Sequence, residues 1–174
     1  AIEAAKEALL IQRDILHPEH PQIADAAAML AYWSMQVGDL VASEELLDEV
    51  LAIRRAVFGE DHPDVASALT LTGTVQLDTG RFADCLESVR LARNILESKF
   101  APAHWRGAAA INVEGAALVG LGEYAEAEQL LLQTNDILAD APMPGVAEQS
   151  KERLATLYSA WGKDDEAAKY ASAD

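Results

Sequence analysis

The stretch FGEDHPDVASAL, from Phe58 to Leu69, decides the fold, because its markers return at a fixed distance on either side. His62 has counterparts at His20 and His104, each 42 residues away, and Gly80 has counterparts at Gly38 and Gly122 at the same spacing. Pro21 and Pro63 follow their histidines, Ala24, Ala66 and Ala108 come next, and Leu40, Phe82 and Tyr124 stand two past each glycine. Every copy closes on an isoleucine, at Ile53, Ile95 or Ile137. A period of this length marks stacked units, none of which can bury its apolar face alone. The N-terminus holds half of a further copy, since Ala8, Leu9 and Ile11 align 42 residues before Val50, Leu51 and Ile53. A shortened copy ends the chain around Gly162.

Inside each copy the apolar residues recur at three and four, the helical spacing, and the glycine divides the copy into two helices. Pro21 and Pro63 suit a first helical position, where the missing amide proton costs nothing, and Asp64 favours the positive end of the helix dipole. Gly38, Gly80, Gly122 and Gly162 stop the helices before them by taking a left-handed backbone. Helices are expected at 2–16, 21–37, 40–57, 63–79, 82–98, 104–121, 123–139, 145–161 and 163–172. Thr70 to Val75 should be the weakest helical segment, because threonine, valine and glycine have low helix propensity.

The composition removes several classes of function. With 13 Lys+Arg against 29 Asp+Glu the formal charge is −16, which repels nucleic acid phosphate. The chain is 51% hydrophobic, enough for a large core, yet contains no apolar run long enough to insert in a membrane. Its one cysteine cannot form an internal disulfide, and the four histidines offer poor material for a metal site. His17 and His20 have a metal-like spacing but sit around Pro18 and Pro21 with no third ligand near. The acidic pairs read as solvated surface, and no catalytic residue, cofactor or metal is expected. Trp33 and Trp161 are expected against neighbouring helices, and Trp105 over the loop at 100–103. The chain begins at Ala1 without a signal peptide, so a cytoplasmic segment cut from a longer protein is expected.

GEYAEAEQLL, Gly122 to Leu131, and LATLYSAWG, Leu154 to Gly162, resemble the two helices of the tetratricopeptide repeat. The 42-residue period, with VLAIRRAVFG at Val50 to Gly59 and the His-Pro opening, resembles the kinesin-light-chain type of that repeat. The resemblance implies an all-α fold, a right-handed α-α superhelix of about four hairpins forming a single solenoid domain over 1–174. Its parts would be an orphan second helix at 1–16, full repeats at 20–58, 62–99 and 104–140, and a shortened repeat at 144–172. By register, Ala31, Gly73, Gly115 and Ala155 would be the small positions where paired helices meet, opposite Ser43, Cys85, Ala127 and Ala167. ERLATLYSAWGKDDEAAKY, Glu152 to Tyr170, resembles the C-terminal repeat region of bacterial serine/threonine protein kinases, although no kinase motif occurs in the chain.

The family's function would be noncatalytic: binding of a peptide or protein segment in a concave groove, within a larger signalling protein. A structural dimerisation or spacer role with no groove ligand is the alternative, with a homodimer formed through exposed repeat ends. Groove positions carried over by register are Asp25, Met29, Tyr32, Gln36, Ser67, Thr70, Leu71, Thr74, Asp78, Asn112, Val113 and Ala116. The asparagine pair of kinesin-light-chain repeats is kept once, at Asn112, and Arg153 is the one arginine of these columns. Acidic groove positions on an acidic chain favour a basic or apolar partner over an acidic one. Ser88, Arg90, Arg93 and Glu114 put polar groups where leucine is expected. They form either a local network, with Glu114 meeting Arg90 or Arg93, or a polar pocket opening into the groove.

Overall fold

The computed structural model describes residues 2–143 and 145–171, so Ala1, Pro144 and the 172 end of the last repeat lie outside the described residues. Nine helices follow one another within them: α1 (Ile2–Ile15), α2 (Pro21–Gln36), α3 (Leu40–Phe58), α4 (Pro63–Asp78), α5 (Phe82–Lys99), α6 (Trp105–Gly120), α7 (Tyr124–Ala139), α8 (Val146–Ala160) and α9 (Asp164–Ala167). No strand occurs among the described residues. Hairpins α2–α3, α4–α5 and α6–α7 have the most extensive contacts, and each packs on the next through α3–α4, α5–α6 and α7–α8. First helices also touch across repeats, α2 with α4, α4 with α6 and α6 with α8, which makes them one continuous layer of an α-α solenoid.

The repeated markers have repeated physical roles. His20, His62 and His104 cap α2, α4 and α6: each ring Nδ1 accepts the backbone N–H two residues on, at 3.2–3.3 Å. The rings of His62 and His104 also stack on Phe58 and Phe100, at 4.5 and 4.1 Å between centroids. Each hairpin turn is closed by a glycine at positive φ, with Gly38 at 82°, Gly80 at 75° and Gly122 at 81°. The N–H following the glycine reaches five residues back into the helix, as Asp39 N–H to Ser34 O and Arg81 N–H to Gln76 O do at 2.9 and 2.8 Å. In α4 two of the three threonines donate to carbonyls four residues back, Thr70 to Ala66 and Thr74 to Thr70, and the helix runs through unbroken.

One helix is shorter than expected. The segment 163–172 was expected to be helical, yet α9 stops at Ala167. Beyond it Lys169 and Tyr170 donate three residues back instead of four, and Tyr170 folds over Tyr158 with ring centroids 5.8 Å apart. The aromatic contact and the tightened turn replace a further turn of helix.

One core joins α1 to α5 through Leu9, Ile23, Val50, Val65, Ile95 and Leu96, and another closes the C-terminal end through Leu118, Leu131, Leu154 and Leu157. Helices within a hairpin approach at small residues. A Cβ at Gly73 would lie 2.4 Å from Val89 Cγ1, and one at Gly115 would lie 2.8 Å from Leu131 Cγ. Valine is stiff at χ1 and cannot yield cheaply. Gly73→Ala is therefore expected to destabilise by about 1–2 kcal/mol despite the better helix propensity of alanine. Gly107, helical with nothing within 4 Å of its Cβ position, supplies the control. There the same change should stabilise by about 0.5–1 kcal/mol, and urea titration of both variants checks the opposite signs. Cys85 belongs to the Gly73 contact: it is fully buried, and desolvation pushes its thiol up to about 12, against the pull of Arg153. Such a thiol packs and does not react.

Candidate functional site: the concave face

Because α2, α4, α6 and α8 form one layer, residues a full turn apart on each line a shared concave surface. Two adjoining cavities open there. The first, about 280 Å³, is walled by Tyr32, Met35, Leu71, Trp105, Val113, Leu138, Met143 and Val146, with Ser67, Thr70 and Asn112 among its polar groups. The second, about 500 Å³, is bounded by Gln36, Thr74, Leu77, Asp78, Phe82, Ala116 and Glu152. Met35, Thr74, Gln149 and Arg153 belong to both, so the two are neighbouring compartments of one groove. They are named below by Trp105 and Asp78.

The two compartments differ in charge. Arg54, Arg106 and Arg153 are the charged residues lining the Trp105 compartment, whereas Asp78 and Glu152 share the other with Arg153. Arg54 donates to Asp25 Oδ1 at 3.1 Å and to the carbonyl of Asp64 at 3.0 Å. Arg106 lies 3.6 Å from Asp64 Oδ1, with its guanidinium over the rings of Trp105 and Phe100. Arg153 differs from both: its partner is neutral, Asn112 Oδ1 at 2.7 Å, and no carboxylate of the described residues lies within 4 Å of it. Desolvation holds its guanidinium below the ordinary value, opposed by the more distant carboxylates of Asp78 and Glu152. Asp78 is accessible at the rim but crowded enough that partial desolvation raises its carboxyl, with Arg153 opposing.

Asn112 holds Arg153 in place. It is buried on α6 and donates through Nδ2 to Thr134 Oγ1 of α7 at 3.0 Å and to Ser150 Oγ of α8 at 3.2 Å. Ser150 in turn donates to Asn135 Oδ1 at 3.2 Å. The asparagine amide can therefore face only one way, with its oxygen toward Arg153, because a guanidinium donates and cannot accept.

The expected groove residues divide. Tyr32, Ser67, Thr70, Leu71, Asn112 and Val113 line the Trp105 compartment, Gln36, Asp78 and Ala116 the other, and Thr74 both. Asp25 and Met29 line neither: Asp25 is turned to solvent and held by Arg54, and Met29 is exposed on the next face of α2. Met35 and Leu71, not Met29, lie with Tyr32 on the apolar wall. The reading of Ser88, Arg90, Arg93 and Glu114 as a groove pocket also needs correction. Glu114 is 3% exposed and accepts from Arg90 Nε at 2.8 Å and Arg93 Nη1 at 3.2 Å, between α5 and α6 and away from both cavities. Ser88 takes no part in that network. Trp33, expected against a neighbouring helix, is 41% exposed and edge-on to Tyr32 of its own helix.

Arg54, Trp105, Arg106, Leu138 and Gln149 were not among the expected groove residues. A signal for two of them was in the period itself, since Arg54, Leu96 and Leu138 recur every 42 residues and all three line the Trp105 compartment. This second-helix column reaches the concave side under the following first helix. The Trp105 compartment gathers three arginines on a chain of charge −16, an arrangement that the net charge does not indicate.

Residues 25–98 match the tetratricopeptide repeat family. The nearly identical TPR-like repeats of a kinesin-light-chain-type protein from Podosopora anserina superpose with a TM-score of 0.70 at 23% identity, over 97% of this chain and 81% of that one. BtubC (BKLC) from P. vanneervenii superposes at 0.71 with 17% identity, over 95% and 67% of the two chains. MamA does so at 0.56 with 18% identity, over 97% and 81%. No curated protein matches the chain. The fold is that of kinesin-light-chain-like tetratricopeptide repeats.

Proposed function

We propose that this tetratricopeptide solenoid is a noncatalytic protein-interaction module that holds an extended segment of a partner along α2, α4, α6 and α8. Repeats of this type are protein-interaction scaffolds, and no enzyme family matches the chain. The observation that carries the reading is the Trp105 compartment, a concave apolar space with a few convergent polar groups at its walls. No helix among the described residues is long and apolar enough to cross a membrane. Following the resemblance of residues 152–170, the module would serve a larger cytoplasmic signalling protein such as a serine/threonine kinase.

A peptide array tests the groove. Peptides captured by the natural chain should be lost to a Tyr32→Ala/Leu71→Ala double variant whose circular dichroism is unchanged, and undiminished capture would overturn the reading. The dimerisation alternative draws on a different surface. Leu10, Ile11 and Ile15 of α1 are more than half exposed, at 62%, 53% and 69%. If that face joins two copies, light scattering will show a concentration-dependent dimer that Ile11→Glu/Ile15→Glu abolishes.

A further inference from the structure

Resting on that groove reading, we infer that the bound segment is of mixed charge: a carboxylate beside a large apolar side chain enters the Trp105 compartment, and a basic residue of the same segment enters the Asp78 compartment. Arg153 stands in the wall they share.

Arg54 and Arg106 already have acidic partners, in Asp25 and Asp64. Arg153 has none within 4 Å among the described residues, and of its five N–H groups one is engaged, by Asn112. An incoming carboxylate would find a guanidinium fork that is oriented, partly desolvated and otherwise uncompensated, the setting in which a charge-assisted pair is strongest. The adjacent wall of Tyr32, Leu71, Val113 and Leu138 has room for one leucine or aromatic side chain.

Asp78 is the complementary case. No cation lies within 4 Å of it among the described residues, and Glu152 lines the same compartment. Asp78 and Arg153 feel each other's charge without reaching each other. A wholly acidic segment would satisfy Arg153 and set a like charge on Asp78 and Glu152; a wholly basic one would do the reverse at three arginines. A segment carrying both signs satisfies both compartments, and like-charge contact excludes the uniform ones. The two compartments adjoin through Met35, Thr74, Gln149 and Arg153, so the two charges of the segment fall within a few residues of extended chain.

Four fluorescein-labelled, end-blocked decapeptides test the inference by anisotropy. Their cores are Glu-Phe-Ala-Ala-Lys, the reversed Lys-Ala-Ala-Phe-Glu, Glu-Phe-Ala-Ala-Glu and Lys-Phe-Ala-Ala-Lys. One mixed peptide should bind about tenfold more tightly than either uniform one, with the difference shrinking at high salt. In Asp78→Lys, a change at an accessible rim position, the preference should pass to the uniformly acidic peptide. A uniform peptide binding the natural chain as tightly as both mixed ones, or a preference that Asp78→Lys leaves in place, overturns the mixed-charge inference while the groove reading stands. Binding of none of the four, or binding indifferent to Tyr32→Ala/Leu71→Ala, overturns both.

Discussion

Replacing Arg90 and Arg93 together by methionine is expected to destabilise the protein by about 3 kcal/mol, while Glu114→Leu should cost less than about 1 kcal/mol or even stabilise it. The asymmetry follows from where the water is. The side chains of Arg90 and Arg93 are 50% and 34% exposed, whereas that of Glu114 is 4% exposed. Deprived of Glu114, the arginines turn outward and hydrate, and Arg93 still has Glu97 at 2.7 Å. Deprived of both arginines, the carboxylate remains inside without a cation. Leucine suits the site because Leu30 and Leu154 occupy the same register position and are 4% and 0% exposed. Urea unfolding of the two variants measures the difference at constant m. Equal losses would mean that the ion pairs, not the burial of the carboxylate, control stability there.

The second large effect is expected at Asn112. Asn112→Ala removes the group that connects α6 to Thr134, Ser150 and Arg153, and leaves a small cavity among them. Thr134 keeps its bonds to the carbonyls of Leu130 and Leu131, and Ser150 keeps Asn135, so no hydroxyl is wholly orphaned. Lost hydrogen bonds and the void together should cost about 2–3 kcal/mol, or roughly 5–10 °C in Tm for a domain of this size. Arg153 then loses its positioning partner, so charge discrimination in the groove should weaken along with stability. Arg153→Gln separates the two effects: it should impair recognition of acidic groups while lowering Tm much less than Asn112→Ala. If the two variants lose the same stability, Arg153 is a structural member of the network and not a waiting recognition group.

The repeat was legible because its markers act locally. A histidine that caps, a proline that starts, a glycine that takes a positive φ and small residues at the helix contact each carry their role within a few residues of chain. Their 42-residue return therefore placed the helix starts and hairpin turns before any long-range contact was considered. The C-terminal helix is shorter than its sequence suggests because such markers run out there: it stops at Ala167, where the contact of Tyr170 with Tyr158 takes over.

The concave face was legible only in part, and the division has a physical cause. Tyr32, Thr70, Leu71, Thr74 and Asp78 reach the groove because they lie on first helices, which their register identifies. Asp25 and Met29 shared that register but stand at the edge of the layer, where Arg54 rather than the groove takes the carboxylate. Net charge is silent on the groove for a related reason: an average over 174 residues carries no information on which side of the helix layer each charge emerges. The unit, its length, its turns and the small contacts that set the helix spacing are written in residues of one repeat. The convergence of Arg54, Arg106 and Arg153, from three helices, on one cavity is not. Convergence depends on how successive hairpins stack and curve, a property of side-chain packing between repeats that no single repeat contains.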